Sequence, residues 1–373
     1  MRRPIIAAPV GLGSREDGRM RFGVIADNPV ERIGLASGLV PTPMIEPYGI
    51  AFGRALMVAT RVGAFDALAD GPSSASGVAE RCALDRAATE KLLNLLVGMR
   101  YLRRSSDGTY RLTRMARKWL LASSEASVRD MVLMKFLEWE WLEGLEGFVR
   151  TGEPLDVHGS MGADDWALYQ RGMRAQAGVL AGFLVRRLPM PANARRMLDI
   201  GGSHGYLSVA VCRKYPQLRA EVLDLPEAVE HAAPILATEG MGERVVHRPG
   251  DALTEDLGSE VYDLIFMFSL VHHFDEETNR TLVARCARAL RAGGLLVIGD
   301  LVRPMAPTRA SAMDLFYDLY FALTSRSGLW SFEEMAEWQR AGGLEPRKPI
   351  RLVPGSGPAL QVGERRAGAL APE

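Results

Sequence analysis

Residues 268–277, FSLVHHFDEE, set two adjacent histidines where an apolar, strand-like run gives way to acids. An imidazole titrates near neutral pH, so a histidine at the end of a buried strand suits removal of a proton from a hydroxyl. Two other readings stand beside that one: a metal site, or two polar residues in a loop. A metal needs further ligands at close range, and His158, His204, His231 and His247 lie scattered along the chain with no ligand spacing, so no metal is expected.

The stretch MLDIGGSHGYLSVAVCRKY, from Met197, reads as a strand, a glycine turn and a helix. Gly201, Gly202 and Gly205 allow a sharp turn and a close approach of ligand to backbone. Ser203 breaks the G-x-G-x-x-G pattern, and Asp199 would repel a pyrophosphate, so a ligand bearing an ammonium group suits this turn better than a dinucleotide. The next strand ends in Asp224, placed to accept from ribose hydroxyls, and the third leads to Gly250-Asp251, placed to accept from an adenine amine. Three acids at successive strand ends, in register with the turn, point to S-adenosylmethionine. His204, inside the turn, is read as shaping that loop.

The elements that position these groups follow from the pattern. After Pro189 and Pro191, apolar strands alternate with amphipathic helices, which implies an α/β domain with a parallel sheet covered on both faces and ligands at the carboxyl ends of its strands. LEPRKPIRLV and PALQVGERR offer two further strands. From about Met44 the chain reads helix, helix, helix, then a hairpin turning at Asp107-Gly108, a winged-helix pattern. Its third helix is rich in leucine and offers chiefly Arg86 and Lys91, so burial and dimerisation suit it better than DNA. Residues 124–188 are helical and rich in large side chains. Most belong to core, and Met134, Trp139 and Met173 are the candidates for an apolar ligand wall.

The chain has 373 residues, 47% hydrophobic, with 45 basic and 45 acidic side chains. This length suits two or three folded units, and a balanced charge gives no reason to expect nucleic acid or an anionic membrane as partner. Cys82, Cys212 and Cys286 form no disulfide or zinc pattern, which fits a reducing cytoplasm. Pro4, Pro9 and Gly11 interrupt the apolar start, so residues 1–43 are expected to be a disordered extension and not a leader. No run of apolar residues is long enough for a membrane span.

The motifs LDIGGSHG, LDLP, GDAL, LVHHFDEE and GLLVIGDLVRP resemble the class I S-adenosylmethionine-dependent small-molecule O-methyltransferases of plants and bacteria, over about Tyr48 to Arg366. The resemblance implies a Rossmann-like catalytic domain (189–366), a winged-helix-like front domain (44–123) that builds a homodimer, a helical linker and lid (124–188) and a tail (367–373). It implies methylation of a hydroxyl on an aromatic or polyketide-like small molecule in secondary metabolism. Asp199, Gly201, Gly202, Ser203, Gly205, Asp224, Leu225, Gly250, Asp251, Ala252 and Ser269 are then the candidate cofactor contacts. The family's first histidine, its base, falls on His272, with His273 at a less critical place. The carboxylate that orients the base falls on Asp300, shorter than the usual glutamate, and Leu329 stands where a second glutamate is usual. Either Asp300 suffices, or the chemistry departs toward carbon or nitrogen methylation or a reaction that transfers no methyl. Met313, Tyr317 and Phe321 match the family's substrate wall, while Asp314 and Asp318 either meet the substrate or face water.

Overall fold

The computed structural model describes residues 26, 28–353 and 357–366. Residues 1–25 and 27 of the expected extension, and the tail 367–373, lie outside the described residues. The rest of that extension carries helices where none was expected: α1 (Pro29–Ala36) and α2 (Thr42–Ile45). Asn28 caps α1 by accepting from the Glu31 amide, and Pro29 opens it with its φ already set.

A front unit follows from α3 (Tyr48–Arg61), α4 (Ala75–Cys82), α5 (Arg86–Gly98), the hairpin strands β1 (Leu102–Arg104) and β2 (Tyr110–Leu112), and α6 (Arg114–Trp119). Asp85 caps α5, and Gly108 takes the positive φ of the hairpin turn. Two leucines of α5 point inward: Leu93 and Leu96 are buried with Phe65, Leu68, Leu102 and Tyr110 in a core of their own, while Leu95 is exposed. Helices α7 (Arg129–Glu143), α8 (Leu145–Thr151), α9 (Val157–Ser160) and the 25-residue α10 (Ala163–Arg187) lead onward. The Arg61 guanidinium lies 3.1 Å from the centre of the Phe136 ring and ties α3 to α7.

The sheet is built from β3 (Arg196–Ile200), β4 (Arg219–Asp224), β5 (Val245–Pro249), β6 (Tyr262–Phe268), β7 (Leu290–Asp300), β8 (Glu345–Pro346), β9 (Ile350–Arg351) and β10 (Ala359–Glu364). Helices α11 (Tyr206–Lys214), α12 (Pro226–Thr238), α13 (Glu276–Ala289), α14 (Ala312–Thr324) and α15 (Phe332–Ala341) lie between strands. The strand order is β5-β4-β3-β6-β7-β10-β8, with β9 also on β10. The five strands β3 to β7 pair in parallel, and apolar cores flank the sheet, which is why β6 is almost wholly buried. The expected parallel sheet is present in these five strands, and the further C-terminal strand β10, whose direction the pattern left open, runs antiparallel to β7. LEPRKPIRLV is also two short strands and not one, since Pro349 has no amide to continue a ladder.

Chain order reverses at β3, so the crevice outside the carboxyl ends of β3 and β6 is where such a sheet binds ligands. Among the described residues no helix is long and apolar enough to cross a membrane. Trp338 is fully buried and meets Trp330 edge to face at 5.0 Å, behind the loop that bears the histidines. Trp338→Ala should lower stability by about 3–5 kcal/mol, read as a reduced denaturation midpoint in urea.

Candidate active site

The glycine turn takes a left-handed path: φ is +66° at Gly201, +53° at Ser203 and +70° at Gly205, which opens α11. A Cβ on Gly201 would stand 2.7 Å from Leu270, and one on Gly202 2.6 Å from the Asp199 carboxylate, so only glycine leaves this cradle open. His204 accepts the Tyr206 amide at 3.0 Å, and burial pushes its pKa down to about 3, so it is a neutral strut of the turn. Three supports were not legible in the sequence. His247 Nε2 meets the Ser203 carbonyl at 2.8 Å, the Ser203 hydroxyl donates to buried Gln170 of α10, and Arg174 of α10 lies 3.3 Å from the centre of the Tyr206 ring.

The acids differ in how much of their capacity is spent. Both oxygens of Asp224 accept backbone amides, Ser203 at 2.7 Å and Leu225 at 2.8 Å, so this carboxylate braces the turn as well as facing the crevice. Burial raises its pKa. Asp251 accepts the Leu253 amide with one oxygen, and the Gly250 amide donates to the Asp224 carbonyl, which joins the β4 and β5 ends. Ala252 is held by Arg285, and Ser269 sits at φ +53° with its amide on the Gly299 carbonyl at 2.7 Å.

Asp199 is 1% exposed; Oδ2 accepts from the Ser208 hydroxyl at 2.6 Å, while buried Oδ1 has no partner among the described residues. Burial raises its pKa to about 7. An orphan buried carboxylate oxygen beside an open glycine cradle fits the ammonium group of S-adenosylmethionine, with Asp224 and Asp251 at hand for ribose and adenine.

His272 and Asp300 meet. Each is 2% exposed, and His272 Nδ1 lies 2.9 and 3.1 Å from the two Asp300 oxygens, so aspartate reaches despite its shorter stem. Leu329, at the place of the second glutamate, is buried at 2% and offers no carboxylate. The loop is instead held by its backbone. Ser327 donates to the His272 carbonyl at 3.1 Å, and the Trp330 indole at 3.0 Å and Asn279 at 2.9 Å donate to the Val271 carbonyl. The acids of FDEE belong to α13, where Asp275 caps the helix and Glu276 pairs with Arg280.

Aromatic rings close over His272. Phe321 lies 3.9 Å from His272 between ring centres, Tyr317 stacks on Phe321 at 6.2 Å, and Met313 continues that stripe outward, 44% exposed. His273 donates or accepts through Nδ1 with Ser325 at 3.1 Å and packs against His158. His158 in turn meets Trp166 and Tyr169. Burial, then His272, lowers the pKa of both His273 and His158, so both are neutral near pH 7. Among the described residues no group of three or more ligating side chains is arranged to hold a metal.

Two expected wall residues are placed elsewhere. Trp139 faces the front unit, under the Arg54 guanidinium at 4.9 Å, and Trp141, two residues on, is the one that reaches Tyr169. Met134 is packed against Gly172 at the crossing of α7 and α10, where any Cβ would clash with it. Met173 holds His204 through its backbone. Asp314 and Asp318 serve the fold: the first completes the α14 cap with Ser311, and the second accepts the Leu329 amide at 3.1 Å.

A parallel sheet with these acids around a glycine turn defines an S-adenosylmethionine-dependent methyltransferase. Family profiles for an O-methyltransferase domain and an O-methyltransferase dimerisation domain match residues 156–339 and 47–122. The chain belongs to the S-adenosylmethionine-dependent O-methyltransferase family. It is 26% identical to 3-hydroxy-5-methyl-1-naphthoate 3-O-methyltransferase of Streptomyces sahachiroi, over 80% of this chain and 88% of that protein. It is 28% identical to an N,N-dimethyltransferase of Streptomyces rimosus, over 68% and 76%. Human N-acetylserotonin methyltransferase in complex with S-adenosylmethionine superposes with a TM-score of 0.79 over 92% of this chain and 99% of that one, at 18% identity.

The state of Asp199 sets a pH dependence. Its raised pKa makes it a group that favours the ligand-free fold below the ordinary aspartate range and loses that contribution as pH rises through about 7. An ammonium partner needs the ionised form. Affinity for S-adenosylhomocysteine, measured calorimetrically, should therefore weaken by about tenfold per unit as pH falls below about 7, and Asp199→Asn should bind weakly at every pH.

Proposed function

We propose that this enzyme methylates a hydroxyl of an aromatic or polyketide-like small molecule, with His272 as general base and Asp300 as its orienting partner. The observation that carries this reading is the buried Nδ1–carboxylate contact at 2.9 Å. Asp300 accepts the Nδ1–H, which leaves the Nε2 lone pair for the acceptor's proton and steadies the imidazolium that results. S-adenosylmethionine, when bound, supplies an electrophilic methyl on a sulfonium. The turn from Gly201 to Gly205, with Asp199, Asp224 and Asp251, holds and orients it. Leu225, Gly250, Ala252 and Ser269 border the same crevice. Phe321, Tyr317, Trp166 and Tyr169 bound the acceptor side and exclude water. The relative from S. sahachiroi, named for an aromatic hydroxy acid, supports an aromatic acceptor, and the family context supports secondary metabolism.

The working unit in this reading is a cytoplasmic homodimer, with 44–123 as dimerisation domain, 124–188 as linker and lid, and 189–366 as catalytic domain. Apolar side chains left open on α1 to α3 support it: Val30, Ile33, Met44, Tyr48, Ile50 and Phe52 are all exposed, Ile33 at 66%. The burial of Leu93 and Leu96 of α5 speaks against a DNA-reading helix.

Leu329 and the N-methylating relative keep one second reading, transfer to an amine, which needs no deprotonation before attack. One experiment separates the two. His272→Ala should lower kcat on hydroxylated aromatics by about 10²–10⁴-fold while S-adenosylhomocysteine binding is unchanged, and Asp300→Asn should also lower kcat. A His272→Ala enzyme with full turnover sinks the base.

A further inference from the structure

Beside the base stands His158, an imidazole whose nitrogens no hydrogen bond uses among the described residues. His204, His247, His272 and His273 each commit a ring nitrogen to a partner. Among the described residues neither nitrogen of His158 has a hydrogen-bond partner, although the ring is held on several sides. Trp166 stacks on it at 5.6 Å, Tyr169 meets its edge at 5.6 Å, and His273 packs against it at 5.1 Å. The next link, His273 to His272, is 4.3 Å, so three imidazoles run in file along one wall that begins at the base. The ring is only partly buried and its nitrogens keep exposed surface, so a ligand lying against this wall can supply the missing bonds.

We infer that His158, with His273 beside it, reads a second oxygen on the acceptor, a hydroxyl or carbonyl on the same aromatic ring system as the hydroxyl that His272 deprotonates. The inference rests on the acceptor reading above and narrows it from any phenol to an acceptor with two oxygens. A neutral imidazole offers one donor and one acceptor, the complement of a hydroxyl, whereas an anion would need the charged form that burial and His272 disfavour here. The spacing of the rings keeps the two oxygens within reach of one fused aromatic system. His158 is thereby a specificity residue that positions the acceptor and takes no part in proton removal.

The test is calorimetric binding of 2,3-dihydroxynaphthalene and of 2-naphthol to the S-adenosylhomocysteine-loaded enzyme, for wild type, His158→Phe and His158→Gln. Phenylalanine keeps the stacking on Trp166, and glutamine keeps a donor and an acceptor. Wild type is expected to bind the diol about tenfold more tightly, His158→Phe to bind the two alike, and His158→Gln to keep part of the preference. Equal or undetectable binding of the pair by wild type overturns the inference, as does a preference that survives in His158→Phe. The role of His272 is read separately, from turnover, so either assignment can fail without the other.

Discussion

A carboxylate and an imidazole, both almost without exposure, stand against one another at the carboxyl edge of the sheet, and much of the site is arranged so that this pair can exist. Either group alone in that position would be an uncompensated buried polar group. Asp300 ends β7 and His272 follows β6, and these neighbouring strands are in parallel register up to Phe268 and Gly299, which brings the two side chains together without a loop having to search for the contact. Phe321 covers the imidazole, and the backbone bonds from Ser327, Trp330 and Asn279 hold the turn that carries it. With no carboxylate at Leu329, the loop is held through its main chain, and among the described residues Asp300 is the one carboxylate bonded to the His272 ring.

The cofactor turn obeys a different constraint. Its acids are partly consumed in holding the turn itself, as the two backbone bonds to Asp224 show, whereas Asp199 keeps an oxygen with no partner among the described residues. One carboxylate is therefore spent on the turn, and the other keeps bonding capacity that the turn does not use. Both depend on glycines at which a side chain would collide with the acid or with Leu270.

What could be read from the sequence follows from range. The strand, turn and helix around Gly201, the strand-end acids and the hairpin at Asp107-Gly108 are local patterns, and each appears where the period and the turn residues put it. The antiparallel edge was not legible, because the direction of β10 is decided by pairing with β7 and not by its own residues. Trp139 and Trp141 are equally aromatic and two positions apart, so only the rotation of α7 against α3 and α10 tells which one reaches the site. His158 and His273 are distant in sequence, and their contact exists because the Leu155 amide bonds to the Leu323 carbonyl at 2.7 Å and draws the segment before α9 onto α14. The helices α1 and α2 carry cap and proline signals that the glycine and proline content of the start obscured.

Helix α10 holds two parts of the candidate site. Trp166 and Tyr169 pack on His158, while Gln170 and Arg174, within the next two turns, hold Ser203 and Tyr206 of the glycine turn. A helix shifts as a rod, so these contacts cannot be retuned one at a time. Divergence toward new acceptors within this lineage is consequently expected to accumulate on α14 and on the short α9, whose side chains can be exchanged locally, and to be sparse on α10, where a bulkier residue would disturb the cofactor as well.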